Sequence, residues 1–224
     1  MITGAAGTLG AAVAQGFARH GATLGLIDRV AEPKDLLKTL GHGHVFIGGV
    51  DLASAEHSKR AIDDVAAKLG GIDVLVNVAG GFRWETLADG KVDTWDLLYA
   101  INLKTAVCAC QAALAHLSAN RGRIINISAA ATAKAGAGMG AYAASKAGVT
   151  RLTEALAEEL KDKGINVNAV LPSIIDTPVN RADMPSADFS RWVSPAALTD
   201  VIVFLASEAA RAVTGASILV AGRV

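Results

Sequence analysis

Net charge is absent from this chain: 21 Lys and Arg balance 21 Asp and Glu over 224 residues. No bulk field would draw it to nucleic acid or to an anionic membrane surface. Cysteine is scarce, with only Cys108 and Cys110. Two positions apart on a helix, they point in different directions, so neither a disulfide nor a zinc framework is expected. Two reduced core thiols fit better, and with them a cytoplasmic setting. No basic stretch followed by an apolar run opens the chain, as a secretory signal would. No window offers the roughly eighteen uninterrupted apolar residues of a membrane span. Aromatics make up only 4% of the residues, and there are just two tyrosines.

Apolar residues are what the chain does have, at 52%, too many for a disordered segment. Its 23 glycines follow no three-residue period, which excludes collagen and points to tight turns. The length suits one α/β domain over residues 1–224. Short runs at Ala22–Ile27, Val45–Gly48, Val74–Val78, Arg123–Ile127, Ile165–Val170 and Ser217–Val220 read as strands, and most lack a polar alternation, as strands covered on both faces do. Helical stretches lie between them at Leu9–His20, Ser54–Leu69, Val92–Leu117, Ala141–Lys163 and Pro195–Ala206. Thr94 reads as a helix start, and Gly164 suits a helix end. Strand and helix in alternation predict a doubly wound parallel sheet in three α/β/α layers. Residues 172–193 show no periodicity and carry three prolines, so a substrate lid is expected there.

The run Thr3-Gly4-Ala5-Ala6-Gly7-Thr8-Leu9-Gly10 sits between a short strand and a helix. Glycines there permit a tight turn and let backbone N–H groups, including that of Leu9, approach a pyrophosphate at the positive end of the helix. Asp28 ends the second strand, eighteen residues past Gly10. A carboxylate at that place accepts hydrogen bonds from an adenosine ribose and repels a 2′-phosphate. NAD(H) is therefore expected over NADP(H), although Arg29 beside it softens the preference. Only two residues precede Thr3, so the first strand reads as a stub. Residues missing upstream would explain it, and a chain that truly began at Met1 would be expected to lose stability.

Tyr142 is followed at i+4 by Lys146, which places both on one helix face. A nearby ammonium would lower the phenol's pKa toward neutrality and make it a usable proton donor. With these landmarks in order, the chain resembles the short-chain dehydrogenase/reductase family over essentially its whole length, which implies a Rossmann-like fold. Asp51-Leu52, Asn77-Val78-Ala79-Gly80, Asn102, Pro172 and Thr177 extend the match. The resemblance implies that Tyr142 is the acid/base, that Lys146 holds the nicotinamide ribose, and that Asn102 holds water in a proton relay. It also implies cofactor contacts from Gly4, Gly7, Gly10, Asp28, Asp51, Leu52, Ala79, Gly80, Pro172 and Thr177, with Asn77 supporting the central strands.

Three positions depart from the family pattern. Thr8 stands where the phosphate turn has its second glycine. Ala129 occupies the place of the catalytic serine, thirteen residues before Tyr142. Ser128 is one residue too early, and one step along a strand reverses the face; neither it nor Thr132 is expected to substitute. Ser173 replaces a glycine after Pro172. The segment from Val170 to Trp192, with Asp176-Thr177-Pro178 and Met184-Pro185, is similar to the lid of quinonoid dihydropteridine reductase, a branch that also lacks the serine. Asn102 is a departure from that branch.

Phe82, Trp84, Met184, Phe189 and Trp192 either line an aromatic pocket over the nicotinamide or pack the lid on the body. Arg83 and Arg181 read as solvated surface cations. His42 and His44 lack further metal ligands, so no metal is expected. The small-residue helices around Val92–Leu117 and Ala141–Lys163 imply, through the resemblance, a homodimer or homotetramer. The expected activity is hydride transfer to or from a small carbonyl, alcohol or conjugated substrate. A dihydropteridine reductase-like activity and a non-catalytic NAD(H)-binding regulator or scaffold are the alternatives.

Overall fold

A computed structural model describes residues 1–117 and 121–224. The strands β1 (Ile2–Thr3), β2 (Gly25–Ile27), β3 (Val45–Ile47), β4 (Val74–Asn77), β5 (Arg123–Ile127), β6 (Asn166–Pro172) and β7 (Ser217–Val220) form one sheet. Its order is β3-β2-β1-β4-β5-β6-β7, and each pairing is parallel. Helices α1 (Thr8–Arg19), α2 (Leu36–Leu40), α3 (Ala55–Leu69), α4 (Val92–Leu98), α5 (Thr105–Ala113), α6 (Gly140–Leu160), α7 (Pro178–Asp183) and α8 (Pro195–Ala206) connect them. This is the doubly wound arrangement that the alternation predicts.

Each face of the sheet has its own core. On one face, Val13, Phe17, Leu26, Val76, Ile125, Leu198 and Ile202 pack together from α1, α8 and the central strands. On the other, Ile62, Val65, Leu75, Ala109, Ile124 and Leu156 pack from α3, α5, α6 and the strands. Central strands buried on both sides have no solvent-facing side for this reason, and their few polar residues, such as Asn126 and Asn168, are buried too. The outer strand β7 instead alternates exposed and half-buried residues. Cys110 on α5 meets Asn77 and Asn126, whereas the Cys108 thiol reaches toward the carbonyl of Ala53. The two thiols thus point to different surroundings, as their spacing requires.

The first strand is a stub of two residues, yet it pairs on both sides. Ile2 lies opposite Leu26 and Val76, and Thr3 opposite Ile27 and Asn77. The Met1 ammonium is enclosed and donates to the Val74 carbonyl at 2.6 Å. Burial pulls its pKa from 8.0 to about 5. Beside it a cavity of about 370 Å³ opens between β2 and β4, lined by Phe17, Leu24, Val65 and Val74 among others.

Three local features differ from expectation. The helical stretch expected at Val92–Leu117 runs to Ala113 rather than Leu117, and a π-helical segment, Tyr99–Lys104, lies within it between α4 and α5. Thr94 lies inside α4 rather than at its start, because Lys91 is the N-cap; the Thr94 hydroxyl donates to Glu85 instead. Residues 172–193 are also not bare loop. Thr177 caps α7 by accepting from the Asn180 N–H, and Pro178 takes the first helical position, where its missing N–H costs nothing.

Candidate active site

The sheet order reverses between β1 and β4, so the connections after these strands diverge and leave a crevice at their carboxyl ends. Thr3, Asp28, Asn77 and Pro172 end or follow strands at that edge. The glycine turn after β1 is built for close approach. Gly4 has φ +64°, and a Cβ there would sit 2.7 Å from the Ala79 nitrogen. A Cβ on Gly10 would lie 2.1 Å from the Gly4 carbonyl oxygen. Gly7 is less constrained, with its nearest such contact at 3.4 Å. It serves as the N-cap of α1 and offers no side-chain acceptor, whereas α3 and α8 are capped by Ser54 and Ser194. The first-turn N–H groups of α1, Leu9 included, thus have no side-chain partner. The Leu9 side chain itself is buried in the core.

Thr3 joins the turn to the next strand connection. Its hydroxyl oxygen accepts from the Val78 and Ala79 N–H groups at 3.1 and 3.3 Å. Asp28 does a similar service: its carboxylate accepts from Ala6 N–H at 2.9 Å and from Val30 N–H at 3.1 Å. A fixed negative charge therefore stands beside the turn. Asp51 accepts from Ala53 N–H, while Leu52 is buried and its carbonyl takes the Ser58 hydroxyl. Asn77 is buried between strands and donates to Asn126 at 2.8 Å, which in turn donates to Thr153. Its place is the floor of the crevice rather than the crevice itself.

Gly80 is where the polar groups meet. A Cβ on Gly80 would stand 2.6 Å from Asn102 Oδ1 and 3.2 Å from Lys146 Nζ. Asn102 comes from the π-helical segment, a local widening common at functional sites. Its Oδ1 accepts from Gly81 N–H at 2.9 Å, and its Nδ2 donates to Ser145 Oγ at 3.0 Å. Lys146 is 5% exposed and donates to the Ile127 carbonyl at 2.8 Å. Burial lowers its pKa from 10.5 to about 8. Tyr142 lies one turn earlier on α6, its ring edge-on to Phe82 at 4.9 Å between centroids.

The Tyr142 phenol corrects an expectation. Its pKa is raised to about 12 by burial, not lowered toward neutrality. The Lys146 ammonium is turned to Ile127, and desolvation of the phenol dominates. Ser128 is also explained by geometry. Its hydroxyl donates to the Lys146 carbonyl at 2.8 Å and meets the Thr150 hydroxyl, so it serves α6. Thr132 donates back to the Ala129 carbonyl. Ala129 is buried and brings no hydroxyl.

The five aromatic and Met candidates do not form one group. Phe82 lies against Tyr142, and Trp84 lies over Gly138 while its Nε1 donates to the Ala137 carbonyl at 2.9 Å. Phe189 and Trp192 pack on each other at 4.7 Å, with Trp192 only 9% exposed. Arg181 pairs with Asp176 and stacks over Phe189, so it is not a free surface cation. Met184 ends α7 and is half-buried. His44 ties the Leu24 N–H to the Leu40 carbonyl. Among the described residues no cluster of three metal-binding side chains occurs, and no helix is long and apolar enough to cross a membrane. Ser145 and Thr3 were not singled out in the sequence. Ser145 has its signal in its place between Tyr142 and Lys146, but its partner Asn102 is 43 residues away.

A parallel sheet with a glycine turn at its switch point and a Tyr–Lys pair above it defines a dinucleotide-dependent oxidoreductase. The comparisons agree. Residues 1–187 match the short chain dehydrogenase family, and the chain belongs to the short-chain dehydrogenase/reductase family. It is similar to D-threitol dehydrogenase of Mycolicibacterium smegmatis, with 34% identity over 99% of this chain and 90% of that protein. A short-chain dehydrogenase/reductase from Brucella melitensis, described as glucose/ribitol dehydrogenase, superposes with a TM-score of 0.92 at 31% identity, covering 99% of this chain and 94% of that one. A short chain dehydrogenase from Burkholderia cenocepacia, solved with NADP, has a TM-score of 0.88 at 31% identity, covering 99% and 95%. The chain is an NAD(P)-dependent oxidoreductase acting on CH–OH or C=O groups of a small molecule. These relatives are dehydrogenases, which supports an enzyme over a scaffold, and none of the three is a pteridine reductase.

Proposed function

We propose that Tyr142, Lys146 and Asn102 carry the proton chemistry of a dehydrogenase that prefers NAD(H), with its substrate held under residues 172–193. The observation that carries this reading is the convergence of Asn102 and Lys146 on Gly80, one turn from Tyr142. The site fits a dinucleotide: a side chain at Gly4 or Gly10 would collide with backbone, and α1 keeps its first-turn N–H groups without a side-chain cap. Gly4, Gly7, Leu9 and Gly10 would hold the pyrophosphate through backbone N–H groups. Asp28 would hold the adenosine ribose, and its fixed charge beside the turn disfavours a 2′-phosphate. Asp51 and Leu52 would lie at the adenine, with Ala79, Gly80, Pro172 and Thr177 along the rest of the cofactor.

When bound, the nicotinamide supplies or accepts the hydride. Tyr142, a neutral phenol at pH 7, would donate its proton to the carbonyl oxygen during reduction and regain one from solvent through Lys146 and a water held by Asn102. Lys146, with a pKa of about 8, is mainly an ammonium at that pH. Its approach to the phenolate stabilises the charge left behind. Burial excludes competing water from Lys146 and Asn102, which strengthens each polar contact. Because Ala129 offers no hydroxyl, Tyr142 is the donor to the substrate oxygen. Trp84, Met184, Phe189 and Trp192 would shape the substrate side. A cytoplasmic location and a homodimer or homotetramer complete the proposal, the assembly supported by exposed Trp95 on α4, Tyr99 on the π-helical segment and Val107 on α5.

Tyr142→Phe tests the reading. NADH-dependent turnover across a panel of ketones, sugars and quinones should vanish while the NADH dissociation constant changes less than threefold. Turnover persisting in that variant would overturn the acid/base assignment.

A further inference from the structure

The geometry points to Ser145 as a positioning residue that fixes the Asn102 carboxamide relative to Tyr142 and Lys146; it rests on the proton-transfer reading above. Ser145 is 5% exposed and Asn102 1%. The Ser145 hydroxyl donates to the Tyr142 carbonyl at 2.8 Å, which commits its only proton. Its oxygen is then left to accept, and Asn102 Nδ2 donates to it at 3.0 Å. At the other end of the carboxamide, Oδ1 accepts from Gly81 N–H at 2.9 Å. The polarity of this chain of bonds admits one orientation of Asn102. It ties the loop after β4, the π-helical segment and the first turns of α6 through one carboxamide.

The tie matters because of how little room there is. Asn102 Oδ1 and Lys146 Nζ crowd the same face of Gly80, at 2.6 and 3.2 Å from where its Cβ would stand. A carboxamide that turned to find a new acceptor would move into space beside the Lys146 ammonium. Ser145 touches neither Gly80 nor Lys146 Nζ by any hydrogen bond, so its effect on chemistry runs through Asn102 and the Tyr142 backbone carbonyl that it also holds. Ser128 cannot take its place, because its hydroxyl is committed to the Lys146 carbonyl.

The test uses the full chain, NADH and whichever panel substrate Tyr142→Phe fails to turn over. Ser145→Ala should lower kcat at least tenfold, with KM for the substrate and the NADH dissociation constant changed less than twofold. Ser145→Thr, which keeps the hydroxyl, should recover kcat to within threefold of wild type. A Ser145→Ala variant with kcat within twofold of wild type would overturn the inference. So would loss of kcat in step with loss of NADH binding and of melting temperature, the signature of a purely structural serine. Turnover persisting in Tyr142→Phe refutes the acid/base reading itself. Abolished turnover there with an unaffected Ser145→Ala removes the role of Ser145 alone.

Discussion

Replacing Lys146 by methionine should stabilise the cofactor-free protein while ending its activity. The ammonium is 5% exposed, donates to the Ile127 carbonyl, and has its pKa pulled from 10.5 to about 8 by burial. At about 1.4 kcal/mol per unit, that depression corresponds to about 3 kcal/mol of penalty for holding the charge inside. Methionine matches the length of the stem and carries no charge. It also leaves the Ile127 carbonyl without this donor, a loss of about 1 kcal/mol. The variant should therefore be about 2 kcal/mol more stable at pH 7. The sign with pH follows from linkage. Between pH 8 and 10.5 the unfolded chain binds a proton that the folded chain has released, so the wild type gains stability as pH rises. The advantage of the variant should shrink by about 2 kcal/mol between pH 7 and pH 10. Urea unfolding of both proteins at the two pH values, followed by tryptophan fluorescence, measures it. A variant less stable at pH 7, or a difference that stays flat with pH, would refute the burial argument.

Other substitutions probe separate parts of the site. Asp28→Ala removes the charge beside the turn and the acceptor of the Ala6 and Val30 N–H groups; the NADP(H)-to-NAD(H) ratio of kcat/KM should rise about tenfold or more, and an unchanged ratio in steady-state kinetics would clear Asp28 of that role. Gly80→Ala places a methyl 2.6 Å from Asn102 Oδ1; kcat should fall about a hundredfold with the circular dichroism spectrum unchanged, and near-normal turnover would mean the convergence is not catalytic. Ala129→Ser restores the missing hydroxyl one residue beyond Ser128; kcat for an unactivated ketone should rise about tenfold or more, and no gain would show that the substrate oxygen lies elsewhere.

The fold was legible because its signals are local. Runs without a polar alternation such as Arg123–Ile127 mark strands buried on both sides, and all five of that strand's residues are buried, Arg123 and Asn126 included. The turn was legible because Gly4 needs a positive φ and Gly10 needs the absence of a Cβ. Other features escaped for physical reasons. A π-helical segment shifts helix phase by one residue, which averaging over several turns conceals, so Val92–Leu117 read as continuous. The helix α7 has six residues, too few to show a period; only Thr177-Pro178, a cap followed by a first-turn proline, announces it. The spacing of Tyr142 and Lys146 gave a shared face but not the reach of Lys146 to Ile127. That reach, and the burial around it, set the pKa values in the opposite arrangement to the one expected for the phenol.

In the proposed reading, chemistry and substrate choice would reside on different kinds of structure. Tyr142, Ser145 and Lys146 are spaced by one helix, and the Ile127 carbonyl that receives Lys146 belongs to β5. These elements belong to the packed body and would position the proposed acid/base set. The groups that would meet a substrate come from connections. Trp84 is clasped to Ala137 through its indole, and Glu85 N–H bonds the Gly138 carbonyl, so the loop after β4 is fastened to the loop that precedes Tyr142. Gly138, with φ +73° and the indole 2.2 Å from its would-be Cβ, admits no other residue without moving Trp84. The Asp176–Arg181–Phe189–Trp192 series fastens the opposite wall to itself. The loop after β4 is joined to the body through the Gly81 N–H on Asn102 and Phe82 on Tyr142, so changes in that wall reach the Asn102–Ser145–Tyr142 connection. The absence of a hydroxyl at Ala129 bears on the substrate oxygen instead: in the proposed reading it leaves one donor fewer there. Tyr142 would then polarise the bond alone. The substrates turned over fastest should therefore be those whose carbonyl is already activated by its own neighbours.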